Sequence, residues 1–509
     1  MKPSFPASSI QRILITGLLI LIQLVWFVLF FTKLAAVASW INILFIILSF
    51  LIVLQLVNKE ENPAYKIGWI ILIELLPILG GAMYLFFGNQ RPSARMRAQF
   101  KRNEATFAHL LNENAEPPVG LSPRMRGTAH YVADTGGFPI WQNTDVRYYR
   151  VGEEMYADML EALEKAEHFI FLEYFIIMES SEMWQSILQI LERKAAQGVD
   201  VRLIYDDLGS VALLPAGYRE IMEKKGIRCL AFNPFVPFLS LVMNHRDHRK
   251  ILCIDGHTAF NGGINLSDEY INRTHPHGHW KDTGVRLIGD AAWNFTIMFL
   301  QMWEAFRPGE QDFQRFLPHA FHPDSFLSNG WAQPFGDSPL DNEPLSENIY
   351  IDILSQAQDY VYINTPYLAI SNEMQTALTT AAKRGVDVRI VTPGIPDKRV
   401  VYALTHSYYP PLLQAGVKIY EYTPGFIHAK SYLSDDRIGV VGTINMDYRS
   451  LYLHFECGTL LYECDALSDL KADCEDIFSV SREVLLSDCR RDFPHRLFQA
   501  VLRVFAPLL

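Results

Sequence analysis

The sequence predicts an α/β protein built from two tandem copies of one α/β unit, with the active site at their interface and apolar helices in front. Three observations carry that prediction. The pattern H-x-K-x4-D occurs twice, at residues 248–255 and 428–435. A constant offset of 180 residues relates His248 to His428, Lys250 to Lys430, Asp255 to Asp435 and Asn265 to Asn445. A second repeat, AAQGVDVRLIYD at 195–206 and AAKRGVDVRIVTP at 381–393, shows that the duplication extends well beyond the motif.

The elements follow in order. Residues 13–32 and 34–57 are apolar and uncharged, and residues 67–88 hold one acid, Glu74, with Pro77 beside it as a source of a kink. Each run is long enough to cross a bilayer. The alternative for the first is a cleaved signal peptide, since Ala36-Val37-Ala38 mimics a cleavage site, but the run is longer than a signal core. Arg91, Arg95, Arg97, Lys101 and Arg102 follow the third run, which predicts a cytoplasmic catalytic part in an inner membrane protein with several spans. Three spans would leave Lys2 and Arg12 outside; two spans with an interfacial helix would not. Residues 1–88 thus form the membrane region and 89–135 a basic, polar linker. Residues 136–325 and 345–487 are the two halves, and 488–509 a basic amphipathic helix. Within each half strand and helix patterns alternate: 169–177, 183–196 and 200–205, then 360–364, 372–382 and 387–391. A mixed sheet in each half is the expected result. Residues 321–344, rich in Pro, Asn and Asp, form the join. Two later stretches suit lipid contact: PFVPFLSLVM at 234–243 and the tail from 490, where Arg490, Arg491, Arg496 and Arg503 alternate with apolar residues. The alternative for both is packing on the catalytic part.

The repeated motif suits phosphodiester chemistry. A histidine and a lysine two apart on extended chain point the same way. Two such halves facing each other present His248, His428, Lys250 and Lys430 to one point. Lysines neutralise phosphate oxygens, one imidazole attacks phosphorus, and the other protonates the leaving oxygen. Asn265 and Asn445 can donate to the same oxygens. A nucleophilic imidazole must be neutral and needs an acceptor behind it. Asp282 in the first half and Glu456 in the second are the candidates. Asp206-Asp207 suits a loop or capping role better than a metal, and His275, His277 and His279 a solvated loop better than zinc. A net charge of −11 argues against nucleic acid as a partner. Six scattered cysteines suggest no disulfide framework and a reducing compartment.

These residues carry a resemblance. HRDHRKILCIDG with NGGINLSDEY, and FIHAKSYLSDDRIGVVGTINMDYRS, resemble the phospholipase D superfamily, and within it the bacterial cardiolipin synthases with two such motifs. LEYF at 172–175, YDDLGS at 205–210, NTPYL at 364–368 and RSLYLHFE at 449–456 extend the likeness over nearly the whole chain. The resemblance implies tandem phospholipase D-like sandwiches that join two phosphatidylglycerols into cardiolipin and release glycerol. It implies a phosphatidyl-histidine intermediate and no metal or cofactor. His248 would be nucleophile and His428 acid, a choice on which the pseudo-symmetric sequence is silent. The motif aspartates Asp255 and Asp435 would stabilise the motif strands and the interface. Partners would be membrane phospholipids, with oligomerisation open. A hydrolase giving phosphatidic acid, a transferase using another alcohol and a catalytically silent scaffold are the alternatives.

Overall fold

The computed structural model describes residues 39–88, 92–112, 120–234, 244–310, 312–323, 325–490 and 492–508, with scattered residues between 18 and 33. Nine of the 20 residues of the first expected span, and the apolar stretch 235–243, lie outside the described residues.

The first half folds into a seven-stranded mixed sheet. Its strands are β1 (Thr144–Tyr149), β2 (Phe169–Tyr174), β3 (Asp200–Asp206), β4 (Arg228–Phe232), β5 (Lys250–Ile254), β6 (Thr258–Gly262) and β8 (Gly284–Gly289). They run in the order β1-β8-β6-β5-β2-β3-β4, with β2, β3 and β4 parallel and the rest antiparallel. The short β7 (His279–Lys281) leaves this sheet to pair with the other half.

The second half repeats the plan. Its sheet uses β9 (Trp331–Asp337), β10 (Tyr360–Asn364), β12 (Asp387–Pro393), β13 (Lys418–Tyr422), β15 (Ser431–Ser434), β16 (Ile438–Gly442), β18 (Glu456–Tyr462) and β19 (Ser481–Val484). The order β9-β18-β16-β15-β10-β12-β13 matches the first sheet strand for strand, with β19 added at the far edge. Three short strands, β11 (Leu368–Ala369), β14 (Gly425–Ile427) and β17 (Met446–Asp447), lie outside it.

Local chemistry explains the repetition. β2 and β10 are buried along their whole length, as central strands with both faces covered should be. Ser181 and Ser371 cap the matched helices Glu182–Ala196 and Asn372–Lys383, accepting from Trp184 N and Met374 N. Gly198 and Gly385 follow them at φ +93° and +98°, a conformation that costs glycine little.

Three expectations change. The join at 321–344 contains β9, whose Pro334 pairs opposite Thr459. Proline lacks a ladder donor but is tolerated because β9 is an edge strand. The linker at 89–135 carries helices Ala94–Lys101, Glu104–Asn112 and Pro123–Asp134, which bury Phe107, Leu110 and Leu111 against the catalytic body. Surface charges had masked their helical spacing. At the N-terminus, no helix among the described residues is long and apolar enough to cross a membrane. Helix α1 (Ser39–Asn58) occupies the second apolar run, but the third breaks at Leu76 into α2 (Pro63–Leu75) and α3 (Pro77–Phe87). Pro77 disfavours helical geometry at Leu76, which sits at φ −134° and ψ 71°. The helices double back: Trp69 packs on Tyr84 at 5.5 Å, and a Cβ on Gly80 would lie 2.4 Å from Leu72 O.

Candidate active site

The two motifs meet where the halves face each other. β14 pairs in parallel with β7 of the first half, and an isolated bridge joins Asp247 to Phe455. The histidines lie just ahead of their sheets rather than within them. His248 N donates to Phe455 O at 2.9 Å, and His428 N to Lys281 O at 2.7 Å. Each motif is thus stitched to the other half at the residue before that half's carboxylate.

Asp282 and Glu456 both stand behind the imidazoles, but crosswise. His248 Nδ1 lies 2.9 and 3.0 Å from the two Glu456 oxygens. His428 Nδ1 lies 2.6 Å from Asp282 Oδ2. Each half therefore completes the other's histidine, and neither holds a finished site. With Nδ1 bound to a carboxylate, Nε2 of each ring is left for chemistry. Lys250 and Lys430 each donate from Nζ to the carbonyl oxygen of the histidine two residues earlier. Between them, Arg249 points to the other side of its chain, where it meets Glu173 at 2.6 Å and Asp247 at 3.3 Å.

All six groups are deeply buried. Burial pushes His248 down to about 3; Glu456 pulls it back and Lys250 adds to the push. Burial and Lys430 hold His428 well below the ordinary imidazole range. Both rings are therefore neutral at pH 7. Burial lowers Lys250 to about 8 and Lys430 to about 7. The carboxylates differ. Burial lifts Asp282 to about 7 against the pull of Lys430. For Glu456 burial acts upward too, but the hydrogen bonds of His248 and His454 and the charge of Lys250 outweigh it and leave the carboxyl below its usual range.

The remaining expected residues divide. Asn265 has Oδ1 on Ile176 N at 3.1 Å and Nδ2 on the Tyr270 hydroxyl at 2.7 Å. Asn445 is buried with Oδ1 unbonded. Asp255 and Asp435 stand five residues beyond the lysines, roughly 17 Å along the strand, far from the histidines. Each carboxylate gathers three backbone N–H groups, of Glu167, His168 and Phe169 or of Gln358, Asp359 and Tyr360. At φ +50° and +53° they are turn residues that tie the motif hairpin to its neighbouring strand. These bonds stay within one half, so the expected contribution to the interface is corrected. Asp206 accepts from Gly209 N and Asp247 N, a capping role. His279 lies 2.9 Å from the Tyr422 hydroxyl.

His454 was missed. Its ring centre lies 5.6 Å from that of His248, and its Nδ1 3.7 Å from Glu456 Oε1. His248, His454 and Glu456 hold ligand atoms within 4.8 Å of one another, the one such group among the described residues. Its signal was present in RSLYLHFE, but one histidine outside the repeat has no partner copy to mark it. Thr443 was missed as well; its hydroxyl donates to Glu456.

Family comparisons agree with this geometry. A family model described as cardiolipin synthase, PLD-like domain, matches residues 159–279 and 350–478, one stretch in each half. A model described as phospholipase D-nuclease N-terminal matches residues 43–89. A cardiolipin synthase of Geobacillus thermodenitrificans is 34% identical over 89% of this chain and 90% of its own. The chain belongs to the cardiolipin synthase family. It is thereby a phospholipid transferase of the phospholipase D superfamily. Cardiolipin synthase 1 of Bacillus anthracis is 32% identical over 89% of this chain and 90% of its own, and an uncharacterised protein of Streptococcus mutans 46% identical over 90% and 99%. In fold, phosphatidylserine synthase of Haemophilus influenzae superposes with a TM-score of 0.56 at 14% identity, covering 76% of this chain and 98% of that one.

Proposed function

We propose that the protein makes cardiolipin from two phosphatidylglycerols by double displacement at phosphorus, with His248 as nucleophile. The crossed pairing of each histidine with the other half's carboxylate carries the reading. His248 Nε2 attacks phosphorus, the bond to the glycerol oxygen breaks, and His428 gives its Nε2 proton to that oxygen while its Nδ1 takes the proton held on Asp282. Glycerol leaves. His428 then removes the proton from a hydroxyl of a second phosphatidylglycerol. That oxygen attacks phosphorus, the P–N bond breaks, and neutral His248 returns. Lys250 and Lys430 balance the phosphate charge throughout.

The two carboxylates favour this assignment. Glu456 takes both contacts from His248 and the Thr443 hydroxyl, which hold its anion and fix the Nδ1–H tautomer that leaves the lone pair on His248 Nε2, while burial keeps the ring neutral. Asp282, lifted to about 7, keeps an exchangeable proton beside His428 at neutral pH, as an acid needs. Asn445, with an unbonded amide oxygen, is freer to turn toward phosphate than Asn265. Phospholipid substrates, with Arg95, Arg97, Lys101 and Arg102 after the apolar helices, support a bacterial cytoplasmic membrane location with the catalytic part facing the cytoplasm.

The test is product analysis of purified protein with labelled phosphatidylglycerol, beside His248→Ala and His428→Ala. Cardiolipin plus glycerol, lost in both variants, supports the reading. Phosphatidic acid alone would move it to a hydrolase.

A further inference from the structure

We propose that α2 and α3 form a re-entrant hairpin which, with the C-terminal helix Phe493–Phe505, seats the catalytic body on a single leaflet. The third apolar run then does not cross the bilayer. Length is the first argument. Helices of 13 and 11 residues span roughly 20 and 17 Å, short of the roughly 30 Å hydrocarbon core. The bend is apolar and turned outward, with Leu75 73% and Leu76 46% exposed. Glu74, exposed beside it, limits how deep the bend can go.

The second argument is where the flanks go. Before α2, Asn62 caps the helix, and Tyr65 in its first turn packs on Tyr448 and Tyr452 at 5.9 and 6.2 Å. After α3, Phe100 stacks on Phe455 at 5.3 Å, and Arg102 donates to Ala305 O at 3.2 Å. Both flanks touch one catalytic body, so both lie on one side of the membrane. A segment that leaves and returns to the same side is a re-entrant loop.

The C-terminal helix completes the surface. It packs on the catalytic body through buried Leu502, Gln499 donating to Ala403 O, and Arg503 stacked 4.3 Å above Tyr408. It also meets α2, where a Cβ on Gly68 would lie 3.6 Å from Val504 O. Its outward stripe is apolar: Phe493, Leu497, Phe498, Val501 and Phe505 are each 46–69% exposed. An ordinary surface helix turns its polar face outward; this one does the reverse. Exposed Arg95, Arg97, Lys101, Arg490 and Arg496 on the flanking segments suit anionic headgroups. A cavity of about 410 Å³ runs from Glu60, Asn62 and Tyr65 at the hairpin base to His454 beside the catalytic histidine.

The inference rests on the proposed lipid reaction only for its choice of membrane, and its test reads topology, not turnover. The full chain carrying Cys489→Ser (the other five cysteines are buried) receives Glu60→Cys, Arg95→Cys or Leu76→Cys singly, in vesicles containing phosphatidylglycerol. An impermeant maleimide is applied from the side of the catalytic domain. Positions 60 and 95 should both react from that side, and position 76 from neither side until detergent is added. Reaction of position 60 only from the opposite side would establish a span and overturn the proposal. So would reaction of position 76 from the catalytic side, which would put the bend in water. A polarity-sensitive dye on Phe498→Cys should shift to the blue and be quenched by brominated lipid; no shift would remove the C-terminal helix from the platform.

Discussion

The two halves share a strand plan and a catalytic motif, yet they treat their carboxylates differently. In the first half Gly263 faces Asp282, and a Cβ there would fall 2.0 Å from Oδ1. At the equivalent position the second half has Thr443, whose hydroxyl donates to Glu456. The shorter aspartate is seated against bare backbone, with Thr283 N donating at 2.9 Å; the longer glutamate leaves room for a side-chain donor. The middle residues differ as well. Arg249 is held by Glu173 and Asp247, whereas Ala429 is a small buried residue. Duplication supplied two equal histidines, yet burial leaves one carboxyl near 7 while the contacts of His248 and His454 hold the other low. A two-step displacement needs that inequality, because one ring must attack while the other carries a proton.

The sharpest way to break the comparison is to remove each histidine. His248→Ala and His428→Ala should each lower cardiolipin synthesis by about 10²–10⁴-fold or more. With a phosphatidyl ester of a good leaving group such as p-nitrophenol, His428→Ala should regain phenolate release while His248→Ala stays silent. Rescue of His248→Ala instead would reverse the assignment. Exchanging the neighbours comes next. Gly263→Thr should displace Asp282 and cost most of the activity, while Thr443→Gly leaves the backbone free and should lose only about 1.5–3 kcal/mol, roughly 10–100-fold. It should also raise the Glu456 carboxyl, moving the acidic limb of the kcat/KM profile to higher pH. Equal losses in the two variants would argue that the halves are interchangeable.

The lysines give a smaller effect with a definite sign. Their folded values are depressed, so the charge that holds phosphate is present at low pH and lost as pH rises through about 7 for Lys430 and 8 for Lys250. The kcat/KM of the free enzyme should fall along an alkaline limb in that range, and Lys430→Arg should push the limb upward. The smallest effect belongs to the turns. Asp255→Ala should cost about 1–3 kcal/mol of stability by freeing N–H groups that include the buried one of Phe169, and Asp435→Ala about 0.5–1.5 kcal/mol, since the N–H groups of Gln358 and Asp359 are exposed; both are seen as a lower Tm. Turnover per folded molecule should stay nearly constant; its collapse in a fully folded variant would return these residues to the chemistry.

Much was legible in the sequence because duplication writes every constraint twice. The 180-residue register named His248, Lys250, His428 and Lys430 without any structure. The alternation of side chains placed each pair on one side, and the glycines after the matched helices set the frame of both sheets. Asp282 and Glu456 were legible as candidates, but not which ring each would serve. That depends on which backbone lies against which across the interface. His454 and the Thr443 hydroxyl were hidden because they occur once. The third apolar run reads as one continuous segment for a related reason: composition counts apolar residues along a chain and cannot see that the break at Leu76 leaves two short helices packed on each other. Local pattern and chemistry suffice to pick out the candidate residues and the repeated unit that carries them. Tertiary structure alone decided the crossed pairing, the unequal carboxyls and the folded-back hairpin, because each arises from contacts between segments far apart in the chain.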